Sequence, residues 1–279
     1  MSVPPSDLDR LLTEQRNPAS ETIDNLPTEA MLRIISEEDH KVAPAVASEI
    51  PRIAQAVDAI AARLGAGGRL FYVGAGTSGR LGVLDASEIP PTFHLEPGRV
   101  VGVIAGGEKA LARATEASED DENAGARDLA AHEVTAADAV AGLSASGRTP
   151  YVLGAVRSAR AAGALTIGIS CTPDSALSAA VDIAIAPLVG PEIIAGSTRL
   201  KAGTATKLVL NMLSTGAMIR LGHVYGNLMI NVQPTNEKLA VRARRIIAQV
   251  AGVDQHRAAA LLEAARGNVR DAIRMAKHG

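Results

Sequence analysis

The sequence predicts an α/β fold, a doubly wound parallel sheet of five strands followed by a small C-terminal helical bundle. Five short, almost uninterrupted apolar runs alternate with helical patterns between residues 69 and 185. Strands of a parallel sheet have this pattern because helices cover both of their faces. From about residue 236 the strand patterns cease and only helical patterns remain. We therefore expect an N-terminal arm over 1–43, a sheet domain over 44–235 and a helical appendage over 236–279.

The first expected elements of the sheet domain are one amphipathic helix and one strand. Apolar residues recur at alternating four- and three-residue spacing, which predicts a single helix. They are Val46, Ile50, Ile53, Val57, Ile60 and Leu64. Glycines follow this helix, and the apolar strand 69–73 then leads directly into GAGTSGR (74–80), where a second helix should begin. Pro90 and Pro91 should end that second helix.

The remaining elements continue the alternation. Strands are expected at 100–104, 138–144, 165–170 and 181–185, and helices at 109–132, with room for a break, and at 149–163. Residues 203–222 are apolar nearly all round as a helix, so this helix should be enclosed on all sides. A second subunit is one way to enclose it, and the sequence therefore favours a homodimer. Three helices should form the appendage.

The composition limits the partners that this chain can have. Its 279 residues include 28 Lys+Arg and 30 Asp+Glu, so we expect neither disorder nor a nucleic-acid partner. No apolar run approaches the roughly 18 residues of a membrane span, and the first residues do not resemble a secretory signal. We expect a cytoplasmic protein without a membrane partner. Aromatic residues make up 2% of the chain, which leaves hydroxyls, backbone amides and charges to recognise a small polar anion.

The glycine-rich segment GAGTSG (74–79) matches the G-x-G-x-x-G pattern of dinucleotide sites. That interpretation also requires a carboxylate at the end of the second strand, but Glu96 precedes this strand and Glu108 lies too far along. The same physics suits a smaller anion, because the N–H groups of a helix N-terminus and the hydroxyls of Thr77 and Ser78 can surround a phosphate. A turn that only packs strand against helix is the structural alternative.

A second hydroxyl-rich loop, SASGRT (144–149), also follows a strand and precedes a helix. The carboxyl ends of parallel strands meet at one edge of a sheet, where open α/β folds bind their ligands. Ser144, Ser146 and Thr149 should therefore lie near the first loop and bind one phosphorylated molecule with it. Arg80 and Arg148 could balance its charge, although a surface ion pair is an equally ordinary role for them.

Glu88 is the carboxylate that its position singles out. It lies near the end of a helix, three residues after Asp85, and carboxylates at the negative end of a helix dipole and near each other resist ionisation. That property suits a general acid, whereas an exposed helix end without a role is the alternative. The acidic run 116–122 has the pattern of a solvated surface. No histidine pair has metal-ligand spacing, so we expect no metal, and Cys171 is typical of a core residue.

Four long motifs extend these short patterns. They are GAGTSGRLGVLDASEIPPTF (74–93), GLSASGRTPYV (142–152), GPEIIAGSTRLKAGTATKLVLNMLSTGAMI (190–219) and GNLMINVQPTNEKL (226–239). Together they closely resemble those of the N-acetylmuramic acid 6-phosphate etherases, a family built on the sugar isomerase (SIS) domain. The resemblance begins near TEQRN (13–17) and extends to the helical tail.

The resemblance implies a SIS-type fold and an enzyme that cleaves the D-lactyl ether of N-acetylmuramic acid 6-phosphate. The products would be N-acetylglucosamine 6-phosphate and D-lactate, in cell-wall sugar recycling without metal or nucleotide. The family's two acid/base glutamates match Glu88, in DASE, and Glu119, in EASED. Glu88 would protonate the departing lactate, and Glu119 would handle the water or the C2 proton. The two hydroxyl loops would hold the phosphate and the sugar hydroxyls.

Two other functions remain open at this stage. SIS domains also occur in regulators that bind phosphosugars, and such a non-catalytic sensor would need the hydroxyl loops but neither glutamate. A phosphosugar isomerase would share the domain and convert an aldose to a ketose. Release of lactate separates the etherase from both alternatives.

Overall fold

A five-stranded parallel sheet forms the centre of the computed structural model, which describes residues 12–113, 118–231 and 237–278. In chain order the strands are β1 (Leu70–Gly74), β2 (Val100–Ile104), β3 (Ala139–Leu143), β4 (Leu165–Ile169) and β5 (Ile183–Ile185). Their order across the sheet is β2-β1-β3-β4-β5. The predicted fold class is confirmed. Because the chain passes from β1 to β2 on one side and returns to β3 on the other, the carboxyl ends of β1 and β3 flank a topological switch point.

Helices cover both faces of this sheet. They are α1 (Thr28–Asp39), α2 (Val42–Ser48), α3 (Ile50–Gly65), α4 (Gly76–Phe93), α5 (Lys109–Ala112), α6 (Glu122–Ala130), α7 (Pro150–Ala161), α8 (Ala176–Ala180), α9 (Lys201–Arg220), α10 (Glu237–Ala251), α11 (Gln255–Ala264) and α12 (Val269–His278). Helices α2, α3, α4 and α9 pack on one face, and α6, α7 and α8 pack on the other. In the described part of the chain, no helix combines the length and apolar character that crossing a bilayer requires.

The single helix predicted over 46–64 is wrong, because the structure breaks it into α2 and α3 at Glu49. Pro51 lies in the first turn of α3. Proline has no N–H to donate to the preceding turn, and its ring clashes with the carbonyl four residues earlier, so a continuous helix is disfavoured. The Glu49 side chain instead accepts a hydrogen bond from the N–H of Ala186 at 3.0 Å, beyond the end of β5.

Helix α4 continues through Pro90 and Pro91 to Phe93, so the earlier end predicted for it is also wrong. Ile89 and Phe93 are 4% and 5% exposed in the core, and this packing holds the last turn despite the missing N–H groups. His94, in the left-handed region with φ 51°, ends the helix.

The segment predicted as a helix over 109–132 contains the anticipated break. Helix α5 ends at Ala112, and α6 begins at Glu122. Residues 114–117, which include Glu116 of the acidic run, lie outside the described residues. The break separates Glu119 from both helices, so this residue belongs to a connecting segment.

Helix α9 is covered by its own chain on most sides. Eleven of its residues are buried, including Val209, Leu210 and Leu213. The enclosure predicted from its apolar sequence is incomplete within one chain, because Met212 and Ile219 are 39% and 51% exposed. An exposed apolar strip therefore runs along this helix.

The C-terminal helices α10, α11 and α12 form a bundle with a core of its own. Ile230, Ile247, Leu261 and Val269 belong to this core. A small antiparallel hairpin, β6 (Val224–Tyr225) and β7 (Leu228–Met229), precedes the bundle. Its two-residue strands are too short to produce a recognisable sequence pattern.

The single cysteine is a core residue, as predicted. Cys171 is 1% exposed, beside the beginning of α9. Burial, and then the negative charge of Glu192, raises the pKa of the Cys171 thiol to about 12.

Candidate active site

A cavity of about 420 Å³ opens at the carboxyl ends of β1 and β3. All five hydroxyl residues selected from the sequence line it, together with Glu119. The hydroxyl residues are Thr77, Ser78, Ser144, Ser146 and Thr149. Open α/β folds bind ligands at this kind of switch point, and the volume suits a small molecule.

The first loop joins β1 to α4 and contributes a helix N-terminus to the cavity. Gly76 adopts φ +52°, a left-handed conformation that favours glycine. A Cβ at Gly79 would lie 2.7 Å from the carbonyl oxygen of Gly74, so glycine also lets the helix approach the strand. The first N–H groups of a helix have no intrahelical partner, and Ala75 at the N-cap has no side chain that could accept from them. Thr77 and Ser78 therefore stand beside donors suited to an anion.

The second loop joins β3 to α7 and holds its hydroxyls together. Ser144 Oγ lies 2.8 Å from Thr149 Oγ1 and 3.4 Å from Ser146 Oγ. Gly147, with φ +65°, packs so closely on Ser175 that a Cβ there would approach it to 2.3 Å. Because this turn is fixed by packing, the three hydroxyls are presented together at the cavity.

Glu119 is half-buried and belongs to the cavity wall rather than to an open surface. Its carbonyl accepts a hydrogen bond from the N–H of Tyr151 at 3.0 Å, at the start of α7. Its Oε1 lies 3.0 Å from the position that a Cβ on Gly76 would occupy. Glu119 therefore sits directly against the first loop, and the surface interpretation of the acidic run does not hold for this residue.

The close packing of α6 on α7 holds the segment that carries Glu119. A Cβ on Gly125 would lie 1.8 Å from the carbonyl oxygen of Tyr151, and one on Gly154 would lie 1.9 Å from that of Glu122. Asp121 caps α6 by accepting a hydrogen bond from the N–H of Ala124 at 2.9 Å. That backbone hydrogen bond is the main cause of a lowered pKa for Asp121.

Glu88 lies apart from the other selected residues. It is exposed on α4 and is not among the described residues that line the cavity. It lies twelve residues after Gly76, which corresponds to about 18 Å along a helix. Asp85, one turn earlier, is buried against α9. Ser214 Oγ donates to it at 3.3 Å, and Lys207 Nζ lies 3.6 Å away. Burial raises the pKa of Asp85.

Arg80 lines the cavity, and backbone carbonyls hold part of its guanidinium. Its Nε donates to the carbonyl of Ala110 at 3.0 Å, and one terminal nitrogen donates to the carbonyl of Arg113 at 3.1 Å. Arg80 therefore ties α4 to the segment around α5. Among the described residues these backbone contacts, and no ion pair, hold Arg80.

Two further segments line the cavity, and sequence reasoning assigned no role to either. The N-terminal arm contributes Thr13 and Glu14, and the loop before α9 contributes residues 196–199, including Arg199. Both segments lie within motifs that support the family resemblance, TEQRN and GPEIIAGSTRLKAGT. Membership of those motifs was the available signal, because isolated Thr, Glu and Ser residues in polar loops have no distinguishing pattern.

Comparison with known proteins identifies the family. A model of the glucokinase regulatory protein N-terminal SIS domain matches residues 52–160, and a SIS domain model matches residues 111–216. A protein of Symbiobacterium thermophilum named N-acetylmuramic acid 6-phosphate etherase is 59% identical over 267 residues, which cover 96% of this chain and 89% of that protein. A protein of the same name from Aeromonas hydrophila is 55% identical over 269 residues, covering 96% and 90%.

The chain belongs to the N-acetylmuramic acid 6-phosphate etherase family. Solved structures add the fold alone to this assignment. A phosphoheptose isomerase from Francisella tularensis has a TM-score of 0.53 at 18% identity and covers 70% of this chain and 100% of its own. One from Neisseria gonorrhoeae has a TM-score of 0.52 at 17% identity, covering 68% and 97%. In this etherase family member, Thr13 and Glu14 precede both ranges that the SIS models match.

Proposed function

We propose that this protein cleaves the D-lactyl ether of N-acetylmuramic acid 6-phosphate, giving N-acetylglucosamine 6-phosphate and D-lactate as a carbon–oxygen lyase of cell-wall amino-sugar recycling. The names of relatives between 53% and 59% identical support this activity. The observation that carries the proposal is a single cavity in which five hydroxyls, a helix N-terminus and the carboxylate of Glu119 meet. Such a set can hold a phosphate and move a proton beside it.

The two hydroxyl loops are the proposed phosphate and sugar site. The N-terminus of α4 carries partial positive charge, and Thr77 and Ser78 add hydroxyl donors within the same turn. Ser144, Ser146 and Thr149 face the same cavity from the second loop. Hydrogen bonds to a charged phosphate are stronger than those between neutral groups, so this arrangement anchors the substrate through its phosphate.

The proposed reaction is an elimination followed by addition of water. In the open-chain aldehyde the carbonyl acidifies the proton on C2, and lactate is a leaving group on C3. A base removes the C2 proton, the C2–C3 double bond forms, the C3–oxygen bond breaks, and an acid protonates the departing lactate oxygen. Water then adds to C3, and a proton returns to C2. Every step requires only proton transfer by positioned groups.

Glu119 and Glu88 are the proposed acid/base pair. Glu119 lines the cavity and would take the C2 proton or activate the water. Glu88 would protonate the departing lactate. Within one chain Glu88 lies outside the cavity on an exposed side of α4, so its role requires that a second subunit be present. We therefore include a homodimer in the proposal, as the sequence predicted.

The proposed location is the cytoplasm. A phosphorylated sugar carries fixed negative charge and does not cross a bilayer unaided, so an enzyme that uses it is expected in the compartment where it is made. We also propose no metal or cofactor, because proton transfer alone completes the reaction.

The deciding experiment is incubation with N-acetylmuramic acid 6-phosphate in water labelled with oxygen-18. The proposal expects D-lactate and one labelled oxygen at C3 of N-acetylglucosamine 6-phosphate. Label found only in lactate would mean cleavage of the other carbon–oxygen bond and would reject elimination. Binding without lactate release would favour a phosphosugar sensor, and conversion to a ketose without lactate would favour an isomerase.

A further inference from the structure

One part of the cavity wall comes from the N-terminal arm, which precedes the residues matched by the SIS models. We propose that Thr13 and Glu14 form a sugar-recognition subsite, in which the Glu14 carboxylate accepts hydrogen bonds from hydroxyl or amide N–H groups of the substrate. This inference rests on the proposed function because it takes an amino-sugar phosphate as the ligand. It adds a recognition element to the hydroxyl loops.

The arm contacts the loop before α9 at the cavity itself. The carbonyl of Thr13 accepts a hydrogen bond from the N–H of Gly196 at 2.9 Å. Gly196 has φ +76°, and a Cβ there would lie 3.0 Å from Glu14 Oε2. Glycine at this position therefore serves both the turn and the close approach of the Glu14 carboxylate. The position of Glu14 at the cavity therefore depends on the contact between the arm and the loop before α9.

Buried hydrogen bonds anchor the arm just beyond these residues. Asn17 is 7% exposed, and its Nδ2 donates to Glu38 Oε2 at 2.9 Å and to the carbonyl of Pro191 at 3.0 Å. Ser20 Oγ donates to the carbonyl of Ile193 at 2.7 Å. Residues 17–20 are thereby tied to α1 and to the loop before α9 at several points, and these bonds support the position of Thr13 and Glu14.

A buried ion pair extends this anchor to α9. Lys201 is 1% exposed, and its Nζ donates to Glu38 Oε2 at 2.5 Å. Glu192 accepts hydrogen bonds from the N–H groups of Lys201 and Ala202 at 3.0 and 2.9 Å, which caps the helix. Burial acts to raise the pKa of Glu38, but hydrogen bonds from Lys201, Lys41 and Asn17 outweigh it and lower that pKa to about 2. The carboxylate is therefore charged at neutral pH, and the wall is preorganised.

Thr13 lines the cavity and has a buried polar atom without a hydrogen-bond partner in the described part of the chain. Its side chain is 4% exposed, and Oγ1 has no hydrogen-bond partner among the described residues. A buried hydroxyl without a partner costs free energy, and a ligand that supplies the missing hydrogen bond removes this cost. Because Thr13 also lines the cavity, a sugar hydroxyl is a suitable partner.

The charge of Glu14 determines which part of the substrate it can contact. A carboxylate repels the phosphate and the lactyl carboxylate, whereas it accepts hydrogen bonds from sugar hydroxyls and from an acetamido N–H. The phosphate has its own site at the N-terminus of α4. Glu14 is therefore assigned to the neutral donors of the sugar, and it should distinguish a sugar phosphate from phosphate alone.

The test compares Glu14→Gln with the control Glu21→Gln. Glu21 is an exposed residue of the same arm, and its carboxylate lies 3.7 Å from the guanidinium of Arg16. Titration calorimetry with N-acetylglucosamine 6-phosphate should show about tenfold weaker binding for Glu14→Gln, from loss of a charged acceptor. Binding of inorganic phosphate should be unchanged or tighter. Glu21→Gln should match the wild type with both probes. Equal losses for both probes, or no loss for either, would overturn the proposal.

Thr13→Val provides a second test with a readout on folding. The substitution keeps the shape of the side chain and removes a buried hydroxyl that has no partner, so the thermal midpoint should stay equal or rise. Binding of N-acetylglucosamine 6-phosphate should still weaken. A lower midpoint with unchanged binding would mean that the hydroxyl is structural and would reject the subsite.

Kinetics separate recognition from catalysis at Glu14. Recognition predicts a raised KM for N-acetylmuramic acid 6-phosphate with kcat changed much less. A large loss of kcat with unchanged binding would make Glu14 an acid or base and overturn its assignment as a recognition residue. If wild-type protein binds the sugar phosphate with this Glu14 dependence but releases no lactate, the proposed function fails while the subsite stands.

Discussion

Gly76 is a single residue that matters both for the backbone at the start of α4 and for the position of Glu119. Its φ of +52° disfavours a side chain, and a Cβ would lie 3.0 Å from Glu119 Oε1. Gly76→Ala should lose about 1–2 kcal/mol of stability from the left-handed backbone, and lactate release should fall because Glu119 must move. Gly98→Ala is the matched control, since Gly98 has φ +85° with open space around it. Thermal unfolding and a lactate assay measure both effects, and equal activities would show that the Glu119 contact is unimportant.

The hydroxyl loops make a separate prediction about binding. Ser78→Ala and Ser146→Ala should each weaken phosphosugar binding by about 1–3 kcal/mol, because each removes a hydrogen bond to a charged group. Ser87→Ala removes a hydroxyl that bonds to the carbonyl of Leu84 on the exposed side of α4, and it should bind normally. Unchanged affinity in both loop variants would remove the phosphate-site assignment.

The two glutamates are distinguished by exchange chemistry. Glu88→Gln and Glu119→Gln should each reduce lactate release by roughly 10²–10⁴-fold while substrate still binds. If Glu119 removes the C2 proton, its variant should also lose exchange of the C2 hydrogen with deuterium from solvent. If it only activates water, exchange should persist and the unsaturated aldehyde should accumulate. Normal turnover in either variant would contradict the acid/base assignment of that residue.

The contact between helices α1 and α9 should make the stability of the fold depend on pH, because it includes the ion pair of Glu38 with Lys201. The pKa of Glu38 is about 2 in the folded protein, below its unfolded value of 4.5. The hydrogen bonds that Lys201, Lys41 and Asn17 donate to Glu38 therefore stabilise the fold above about pH 4.5, and this contribution of about 3 kcal/mol is lost as pH falls through about 2.

Unfolding by denaturant at a series of pH values measures that contribution. Glu38→Gln should be less stable at pH 7, because it leaves Lys201 buried without its partner, and its stability should fall less steeply below pH 4.5. Glu37→Gln, at the exposed neighbouring position, should keep the wild-type profile. A Glu38→Gln profile parallel to that of the wild type would place the acid sensitivity elsewhere.

The sequence predicted the strands correctly, because their apolar pattern reflects the burial of their own side chains. The apolar runs predicted all five strands because both faces of these strands are buried. The prolines were harder to interpret. Pro51 broke a helix that periodicity predicted as continuous, whereas Pro90 and Pro91 were accommodated because Ile89 and Phe93 pack in the core. Tertiary packing decides between these outcomes, and one sequence does not contain that information.

The cavity wall also depends on tertiary contacts that one sequence does not reveal. The loops after β1 and β3 were predictable, because parallel strands bring their carboxyl ends together. The wall formed by Thr13, Glu14 and residues 196–199 was not, because it joins segments about 180 residues apart. Its anchor is a buried pair, Glu38 and Lys201, of residue types that are almost always exposed.

The assembly gives a prediction for the whole molecule. Helices α4 and α9 are in contact and leave Leu84, Met212 and Ile219 at 43%, 39% and 51% exposure. Glu88 is exposed one turn beyond Leu84. We expect a dimer in sedimentation at micromolar concentration, weakened by Met212→Lys. Met275→Lys, at a side chain 44% exposed in the C-terminal bundle, is the control. A stable wild-type monomer would contradict this assembly.

Mixed dimers test whether Glu88 acts across that interface. Glu88→Gln and Glu119→Gln proteins, unfolded and refolded together, form some dimers with one subunit of each kind. If each site combines Glu119 from one subunit with Glu88 from the other, a mixed dimer holds one intact site, and activity should recover to about a quarter of that of the wild type. No recovery despite verified mixing would mean that both glutamates act within one chain.

Cys171 makes the protein a convenient subject for fluorescence. At 1% exposure and a pKa of about 12, the native thiol is shielded and protonated at neutral pH, so maleimide dyes should not react with it in the folded state. A cysteine introduced at an exposed position such as Gln15 would therefore carry the only dye, without removal of the natural one. Energy transfer between two such dyes would report the distance between the arms of two subunits in solution.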